Sequence, residues 1–128
     1  MNKALVVDDS RTIRRIISKI LIELGYEVGE AGNGLEALEV LKTDESGIKL
    51  VLADWNMPEM NGLDLVKQLR LDPDLRSVKV LMVTTETEMD QMASALEAGA
   101  NEYVMKPFTK EILIEKLDLL GFPVLARV

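Results

Sequence analysis

Acidic, hydroxyl and amino side chains follow the apolar segments of this sequence at the points where those segments end. Asp8 and Asp9 follow the first apolar run, and Asp54 ends the third. Thr84 closes the fourth run, and Lys106 follows the fifth. In open sheets of parallel strands, ligands bind beyond the carboxyl ends of the strands. If the runs are parallel strands, these five side chains converge on one crevice.

The charges of that crevice favour a divalent cation. Asp8, Asp9 and Asp54 outnumber the single positive charge of Lys106. Two carboxylates about 5 Å apart repel each other by roughly 3 kcal/mol at an effective dielectric constant near 20. Either a carboxyl group is protonated or a cation neutralises the cluster, and hard oxygen ligands prefer Mg²⁺ or Mn²⁺ to zinc or copper.

A carboxylate in such a crevice can act as a nucleophile. Magnesium keeps open coordination positions that a phosphate oxygen can occupy, and Lys106 can neutralise a second oxygen. A carboxylate held in line with a phosphoryl donor is expected to give an aspartyl phosphate. Each residue alone also has an ordinary role in a helix cap, a turn or the surface, but their joint position at successive strand ends favours function.

The composition excludes several other chemistries. The chain has 128 residues, 48% of them apolar, and a formal net charge of −7, so we expect one acidic domain with a full core. It has no histidine and no cysteine, which excludes imidazole bases, disulfides and thiolate nucleophiles. The acidic balance argues against nucleic acid and anionic membranes as partners. Without a signal peptide or a membrane-spanning run, a cytoplasmic location is expected.

Strand-like and helix-like segments alternate five times along the chain. Strands are predicted at residues 4–7, 27–31, 50–53, 78–83 and 103–105. The run at 50–53 is apolar without alternation, which is typical of a strand buried on both faces of a parallel sheet. Ser10 is the expected N-cap of the first helix, and Gly25 and Gly121 end the first and last helices. The pattern predicts an α/β fold with a doubly wound parallel sheet.

Taken together, these residues resemble a known family. From about Lys3 to Leu120, the chain is similar to the response-regulator receiver domains of two-component signalling. The resemblance rests on Asp8-Asp9, Asp54-Trp55-Asn56-Met57-Pro58, Gly62, Thr84, Tyr103 and Lys106-Pro107-Phe108. Each motif is weak alone, but the combination is specific. Within the family, the motifs are most similar to the stand-alone chemotaxis regulators, the CheY-like proteins.

The resemblance implies a fold and a set of roles. The fold would be a flavodoxin-like sheet of five strands in the order 2-1-3-4-5, with five helices. Asp54 would be the phosphoacceptor, and Lys106 would bind the phosphoryl group. Thr84 would then move its hydroxyl onto a phosphoryl oxygen, and Tyr103 would change rotamer in response.

The resemblance also implies a Mg²⁺ site. Asp9, Asp54 and the backbone carbonyl of Asn56 would ligate the ion, and Asp8 would act mainly through water. Asn56 and Glu86 would tune hydrolysis of the aspartyl phosphate, and the small Asn56 predicts a phosphoryl group that is lost quickly. The peptide bond before Pro107 is expected to be cis.

A stripe on the fourth helix has two interpretations. Met89, Met92 and Leu96 either pack in the core or form an adaptable partner groove. The resemblance places the output surface here and on the last strand and helix, with Tyr103 and Lys116, so we predict that Met89, Met92 and Tyr103 are partly exposed. The expected partners are a histidine kinase and a flagellar switch or other target protein, and the expected state is a monomer.

The sequence predicts a receiver domain at residues 1–121 and a short apolar tail at residues 122–128. The tail either frays or packs back through Phe122 and Leu125. The expected function is that of a single-domain response regulator in chemotaxis or motility control, and not of an enzyme. A phosphorelay intermediate is the alternative.

Two other classes share the sheet or the chemistry. A phosphatase of the haloacid-dehalogenase type needs an acid two residues after the nucleophile to protonate the leaving group, and Asn56 cannot do so. A flavodoxin-type FMN carrier needs a phosphate-cradling loop after the first strand. Asp8 and Asp9 would repel the phosphate there.

Overall fold

A computed structural model describes residues 2–43 and 47–123 of the chain. In these ranges five strands alternate with five α-helices, and a 3-10 helix, Glu86–Gln91, precedes the fourth. The strands are β1 (Lys3–Val7), β2 (Glu27–Ala31), β3 (Leu50–Asp54), β4 (Lys79–Thr84) and β5 (Glu102–Met105). The helices are α1 (Arg11–Glu23), α2 (Gly34–Thr43), α3 (Gly62–Leu71), α4 (Met92–Ala98) and α5 (Lys110–Leu119).

All neighbouring strands pair in parallel, in the order β2-β1-β3-β4-β5. This confirms the α/β fold class and the strand order that the resemblance implied. Strand β3 lies at the centre, and all five of its residues are buried, as its continuous apolar run predicted. Because the strands are parallel, their carboxyl ends share one edge of the sheet.

The two faces of the sheet form two aliphatic cores. Successive side chains of a strand point to opposite faces. Leu50 and Leu52 of β3 therefore pack with α1 and α5, whereas Val51 and Ala53 pack with α2, α3 and α4. Strand β3 is covered on both faces, so its last residue, Asp54, is carried by a central strand that is buried along its whole length. Among the described helices, none combines the length and the apolar composition that a membrane crossing requires.

The helix ends follow the sequence signals. Ser10 Oγ accepts a hydrogen bond of 3.3 Å from the Ile13 N–H and caps α1. Gly25 and Gly121 follow α1 and α5 with φ values of +96° and +90°, a region that glycine adopts without steric cost. Phe122 packs against the α1/α5 core. Residues 124–128, and with them Leu125, lie outside the described residues.

The fourth helix differs from its prediction. The stripe of Met89, Met92 and Leu96 suggested one continuous helix, but Met89 lies in the 3-10 helix and α4 begins at Met92. A 3-10 helix has three residues per turn instead of 3.6, which changes the direction of the side chains that follow. Met92 is in the core and only 3% exposed, so the prediction of its partial exposure is wrong. Met89 is partly exposed and Leu96 is 40% exposed.

One guanidinium group ties three chain segments together. Arg70, near the end of α3, donates from Nε to the Gly99 carbonyl (3.0 Å) and from Nη2 to Asn101 Oδ1 (2.9 Å). Its Nη1 donates to the carbonyls of Arg76 and Val78, both at 2.9 Å. The fixed fork of five N–H donors in arginine allows this set of bonds. It joins the end of α3 to the start of β4 and to the connection between α4 and β5.

Candidate functional site

The polar residues at the strand ends meet in one crevice. Asp8 follows β1, Asp54 ends β3 and Lys106 follows β5. Lys106 Nζ lies 3.3 Å from Asp54 Oδ1 and 3.5 Å from Asp8 Oδ2. Asp8, Asp9 and Asp54 each contribute one carboxylate oxygen to a group whose members all lie within 4.8 Å of one another. The structure therefore brings these four predicted residues together.

Burial makes this cluster of charges unfavourable by itself. Asp8 is 2% exposed and Asp54 is 7% exposed. Burial, followed by the charge of Asp8, raises the pKa of Asp54 from 3.8 to about 6, although Lys106 opposes the change. Burial alone would lower the pKa of Lys106, but the charges of Asp54 and Asp8 outweigh it and raise that pKa. One lysine thus compensates the carboxylates only in part.

The donor set fits Mg²⁺. Three carboxylates at this spacing offer hard oxygen ligands with excess negative charge, the combination that Mg²⁺ and Ca²⁺ prefer to softer metals. The carboxylate of Asp9 is exposed while those of Asp8 and Asp54 are buried, so an ion there would keep a solvent-facing side. Asn56, which the resemblance added to the metal ligands, lies two residues beyond Asp54 with an exposed side chain.

Neighbouring groups fix the orientation of Asp8. Its Oδ1 accepts from the Ser10 N–H (2.8 Å), and its backbone carbonyl accepts from Arg14 Nη1 (2.6 Å). Its backbone N–H donates to the Ala31 carbonyl (3.1 Å). The Oδ2 atom is the one that faces Lys106. These bonds hold Asp8 at the crevice although it lies beyond the end of β1.

The loop after β3 returns close to Asp54. The Gly62 N–H donates to the Trp55 carbonyl (3.0 Å). A Cβ atom on Gly62 would lie 2.5 Å from Met82 Cε and 2.7 Å from the Asp54 carbonyl oxygen. Non-bonded atoms do not approach so closely, so this position requires glycine. The close approach packs the start of α3 against the backbone that carries Asp54.

Thr84 lies at the end of β4 and is completely buried. Its hydroxyl Oγ1 lies 3.2 Å from the Thr85 carbonyl and 3.5 Å from Glu88 Oε1. Glu88 is a residue that the sequence analysis missed. The signal was present, because Thr85 followed three residues later by Glu88 is the pattern of a helix capping box. The side chain of Glu86, predicted to tune hydrolysis, is not among the described ones.

Two of the predicted switch residues, Tyr103 on β5 and Lys116 on α5, contact each other. Tyr103 is partly buried and packs against the core of α2, α3 and α4. Lys116 Nζ lies 5.0 Å from the centre of the Tyr103 ring and 3.4 Å from Glu102 Oε1. A cation at that distance attracts the ring face. The bond between Lys106 and Pro107 is cis, as expected.

An apolar groove opens next to Lys106. Its volume is about 460 Å³, and its lining includes Ile13, Ile16 and Ile20 of α1 together with Phe108. Ile16 is more than half exposed. Helical spacing of apolar residues alone does not tell how wide a face of α1 the sheet covers.

Comparison with known proteins identifies the family. The sequence profile of the response regulator receiver domain matches residues 4–118. The chain belongs to the response regulator receiver domain family. This receiver domain is 50% identical over 119 residues to the chemotaxis protein CheY1 of Helicobacter pylori, with 92% of this chain and 95% of that protein covered. It is 46% identical over 117 residues to the chemotaxis protein CheY-3 of Vibrio cholerae, with 91% and 88% covered.

A solved structure agrees with this assignment. The receiver domain superimposes on the chemotaxis protein CheY4 of Vibrio cholerae with a TM-score of 0.84 and 36% identity, covering 92% of this chain and 97% of that one. Receiver domains are signalling proteins that bind Mg²⁺ at an acidic cluster, interact with histidine kinases and act on downstream targets. The acidic cluster of this chain is Asp8, Asp9 and Asp54.

Proposed function

We propose that this receiver domain accepts a phosphoryl group on Asp54 from a histidine kinase, and that the modified domain presents a changed surface to a target protein in chemotaxis. The observation that carries the proposal is the cluster of Asp8, Asp9, Asp54 and Lys106 at one edge of the sheet. The names of its relatives support the chemotactic role. We assign the protein to the cytoplasm, where its kinase would meet it, and to a monomeric state.

The chain supplies the nucleophile and one charge-compensating group for the transfer, and the kinase supplies the phosphohistidine. A carboxylate oxygen of Asp54 attacks phosphorus and forms the new P–O bond. The P–N bond of the phosphohistidine breaks, and its electron pair returns to the imidazole nitrogen. Lys106, 3.3 Å from Asp54 Oδ1, compensates charge on the transferred group.

The Mg²⁺ ion would be held by Asp9 and Asp54, together with the Asn56 carbonyl and with Asp8 through water. When bound, Mg²⁺ neutralises charge on the phosphoryl oxygens. Exposed Asn56 leaves solvent access to the phosphoryl group, which supports a short-lived modification. Hydrolysis would be tuned by Asn56 and Glu86.

A few strong hydrogen bonds to the phosphoryl group can supply the free energy of the conformational change. Each charge-assisted hydrogen bond to the phosphoryl group contributes roughly 1.5–3 kcal/mol. Moving a two-state equilibrium from 1:99 to 99:1 needs about 5.5 kcal/mol, so two or three such bonds, including one from Thr84, are enough. Inward movement of Thr84 opens space for Tyr103 and changes the surface formed by Met89, Leu96 and Lys116.

The position of the apolar groove beside Lys106 is suited to docking of the kinase. A phosphohistidine must come within bonding distance of Asp54, so the protein that carries it must cover the surface next to the crevice. The groove lined by Ile13, Ile16 and Phe108 adjoins Lys106 there. We assign it to docking of the phosphoryl donor.

A small acyl phosphate tests the phosphoacceptor. Incubation with acetyl phosphate and Mg²⁺ should add about 80 Da, the mass of one phosphoryl group, to the wild-type protein and not to Asp54→Ala. Asp9→Ala, which removes a metal ligand and leaves the nucleophile, should be modified more slowly. An adduct on Asp54→Ala equal to that on the wild type would disprove the site assignment.

Two assays distinguish the biological roles. The phosphorylated protein can be incubated with a flagellar switch protein and, separately, with a histidine phosphotransferase domain. Binding to the first supports motility control, whereas transfer of the phosphoryl group to the second supports a phosphorelay. Steady turnover of a phosphomonoester would instead support the phosphatase alternative. Such a phosphatase needs an acid at the position that Asn56 occupies in this chain.

A further inference from the structure

Glu88 connects the 3-10 helix to the end of β4. Its Oε1 atom accepts from the Thr85 N–H (3.1 Å) and lies 3.1 Å from the Thr85 hydroxyl. The same oxygen lies 3.5 Å from Thr84 Oγ1. One carboxylate oxygen thus contacts both Thr84, the last residue of β4, and Thr85, which follows it.

The Thr84 hydroxyl has a single proton to donate. In this structure its acceptors are the Thr85 carbonyl at 3.2 Å and Glu88 Oε1 at 3.5 Å. Thr84 is completely buried, so the partners of its hydroxyl are protein groups. To donate to a phosphoryl oxygen on Asp54, the hydroxyl must leave both acceptors. Glu88 is therefore a competing acceptor for the proton that the phosphoryl group needs.

Glu88 also acts through its charge. Its carboxylate lies 3.5 Å from the Thr84 hydroxyl that must reach the phosphoryl group. A negative charge at that position disfavours the added charge of a phosphoryl group on Asp54. The Nζ atom of Lys106 is paired with Asp54 and Asp8, so its charge compensates those two carboxylates first.

From these contacts we infer that Glu88 is a positioning residue that opposes phosphorylation of Asp54, because it retains the Thr84 hydroxyl and repels the incoming negative charge. The inference rests on the proposed function and adds a restraint within the same site. Release of Thr84 leaves Glu88 bonded to Thr85 alone, so phosphorylation removes one of the contacts between β4 and the 3-10 helix that carries Met89.

The test compares two substitutions at different positions, each of which removes one negative charge. Glu88→Gln keeps the shape of the side chain and replaces a charged acceptor by a neutral amide oxygen, which accepts more weakly from the Thr84 hydroxyl, and Glu97→Gln makes the same change at an exposed position of α4. With acetyl phosphate and Mg²⁺, we expect the Glu88→Gln protein to be phosphorylated about three to ten times faster than the wild type, with a higher phosphorylated fraction. Glu97→Gln should match the wild type. Glu88→Asp, which keeps the charge, should be slower than Glu88→Gln.

Trp55 provides a second readout. It is the only tryptophan of the sequence and follows Asp54 directly, so we expect its fluorescence to change on phosphorylation, which can be followed in real time. Thermal melting checks that each variant is folded. A role limited to capping the 3-10 helix would lower the melting temperature of Glu88→Gln without speeding phosphorylation, and that result would overturn the inference.

The remaining outcomes are also decisive. If Glu88→Gln is phosphorylated at the wild-type rate, or if Glu97→Gln gives an equal acceleration, the inference is wrong while the proposed function stands. If the wild-type protein gains no phosphoryl group on Asp54, the proposed function fails and this inference fails with it.

Discussion

The substitution Asp54→Asn should stabilise the metal-free protein at neutral pH. The pKa of Asp54 is raised from 3.8 to about 6, first by burial and then by the charge of Asp8. The folded protein therefore binds the Asp54 proton more tightly than the unfolded chain does. This contribution to stability is complete below pH 3.8 and is lost as the pH rises through about 6.

The magnitude follows from the two pKa values of Asp54. Each pH unit between them corresponds to about 1.4 kcal/mol, so ionised Asp54 reduces the free energy of unfolding by about 3 kcal/mol at neutral pH. Asparagine has nearly the shape of the protonated side chain and cannot ionise. We expect Asp54→Asn to gain about 2–3 kcal/mol near pH 7.5 and almost nothing near pH 4.

Urea denaturation at the two pH values measures this difference. Asp90→Asn, a matched change at an exposed carboxylate, is the control and should leave the midpoint nearly unchanged. Adding Mg²⁺ should stabilise the wild type more than Asp54→Asn, because an ion that binds only the folded state adds to its stability. A gain of the same size at both pH values, or no gain near pH 7.5, would refute the electrostatic explanation.

Three further substitutions test other parts of the structure. Ile16→Glu in the groove should slow phosphoryl transfer from the kinase but not from acetyl phosphate. Ile22→Glu is the control, because Ile22 is also exposed on α1 but does not line the groove, and it should affect neither transfer. Equal slowing of Ile16→Glu with both donors would contradict the docking role. Arg70→Ala should reduce the free energy of unfolding by about 2–4 kcal/mol in urea, because it removes the donor of two partly buried hydrogen bonds, to the Gly99 and Val78 carbonyls. A loss below about 0.5 kcal/mol would show that the fork is dispensable. Leu96→Glu should weaken binding of the phosphorylated protein to its target in a pull-down assay and leave phosphorylation unchanged. Target binding equal to that of the wild type would place Leu96 outside the output surface.

Much of the fold could be predicted because two sequence signals were strong, the apolar runs of the strands and the polar residues at their ends. The uninterrupted apolar run of β3 indicated burial on both faces, and the change from apolar residues to Asp54 marked the functional edge of the sheet. The order of the strands could not be read in this way. It depends on which strands pair across long crossovers, and local patterns carry no record of that pairing.

The site was predicted in its residue types but not in its connections. Asp8, Asp54 and Lys106 could be found from position alone, since parallel strands end at one edge. Glu88 was missed although its spacing from Thr85 is a known helix-start signal. Met92 was misjudged because periodicity assumes 3.6 residues per turn, and the 3-10 helix before α4 breaks that assumption.

The short fourth helix has a consequence for how the domain moves. Helix α4 has only seven residues, and helices of that length are marginal without tertiary support. Its tertiary support comes from Met92 and Ala95 in the core. We expect the segment between Thr84 and Gly99 to open before the central sheet, and its amide hydrogens to exchange with solvent before those of β3. A signal that changes the conformation of only this segment would not require global unfolding, and Asp54 would keep its position.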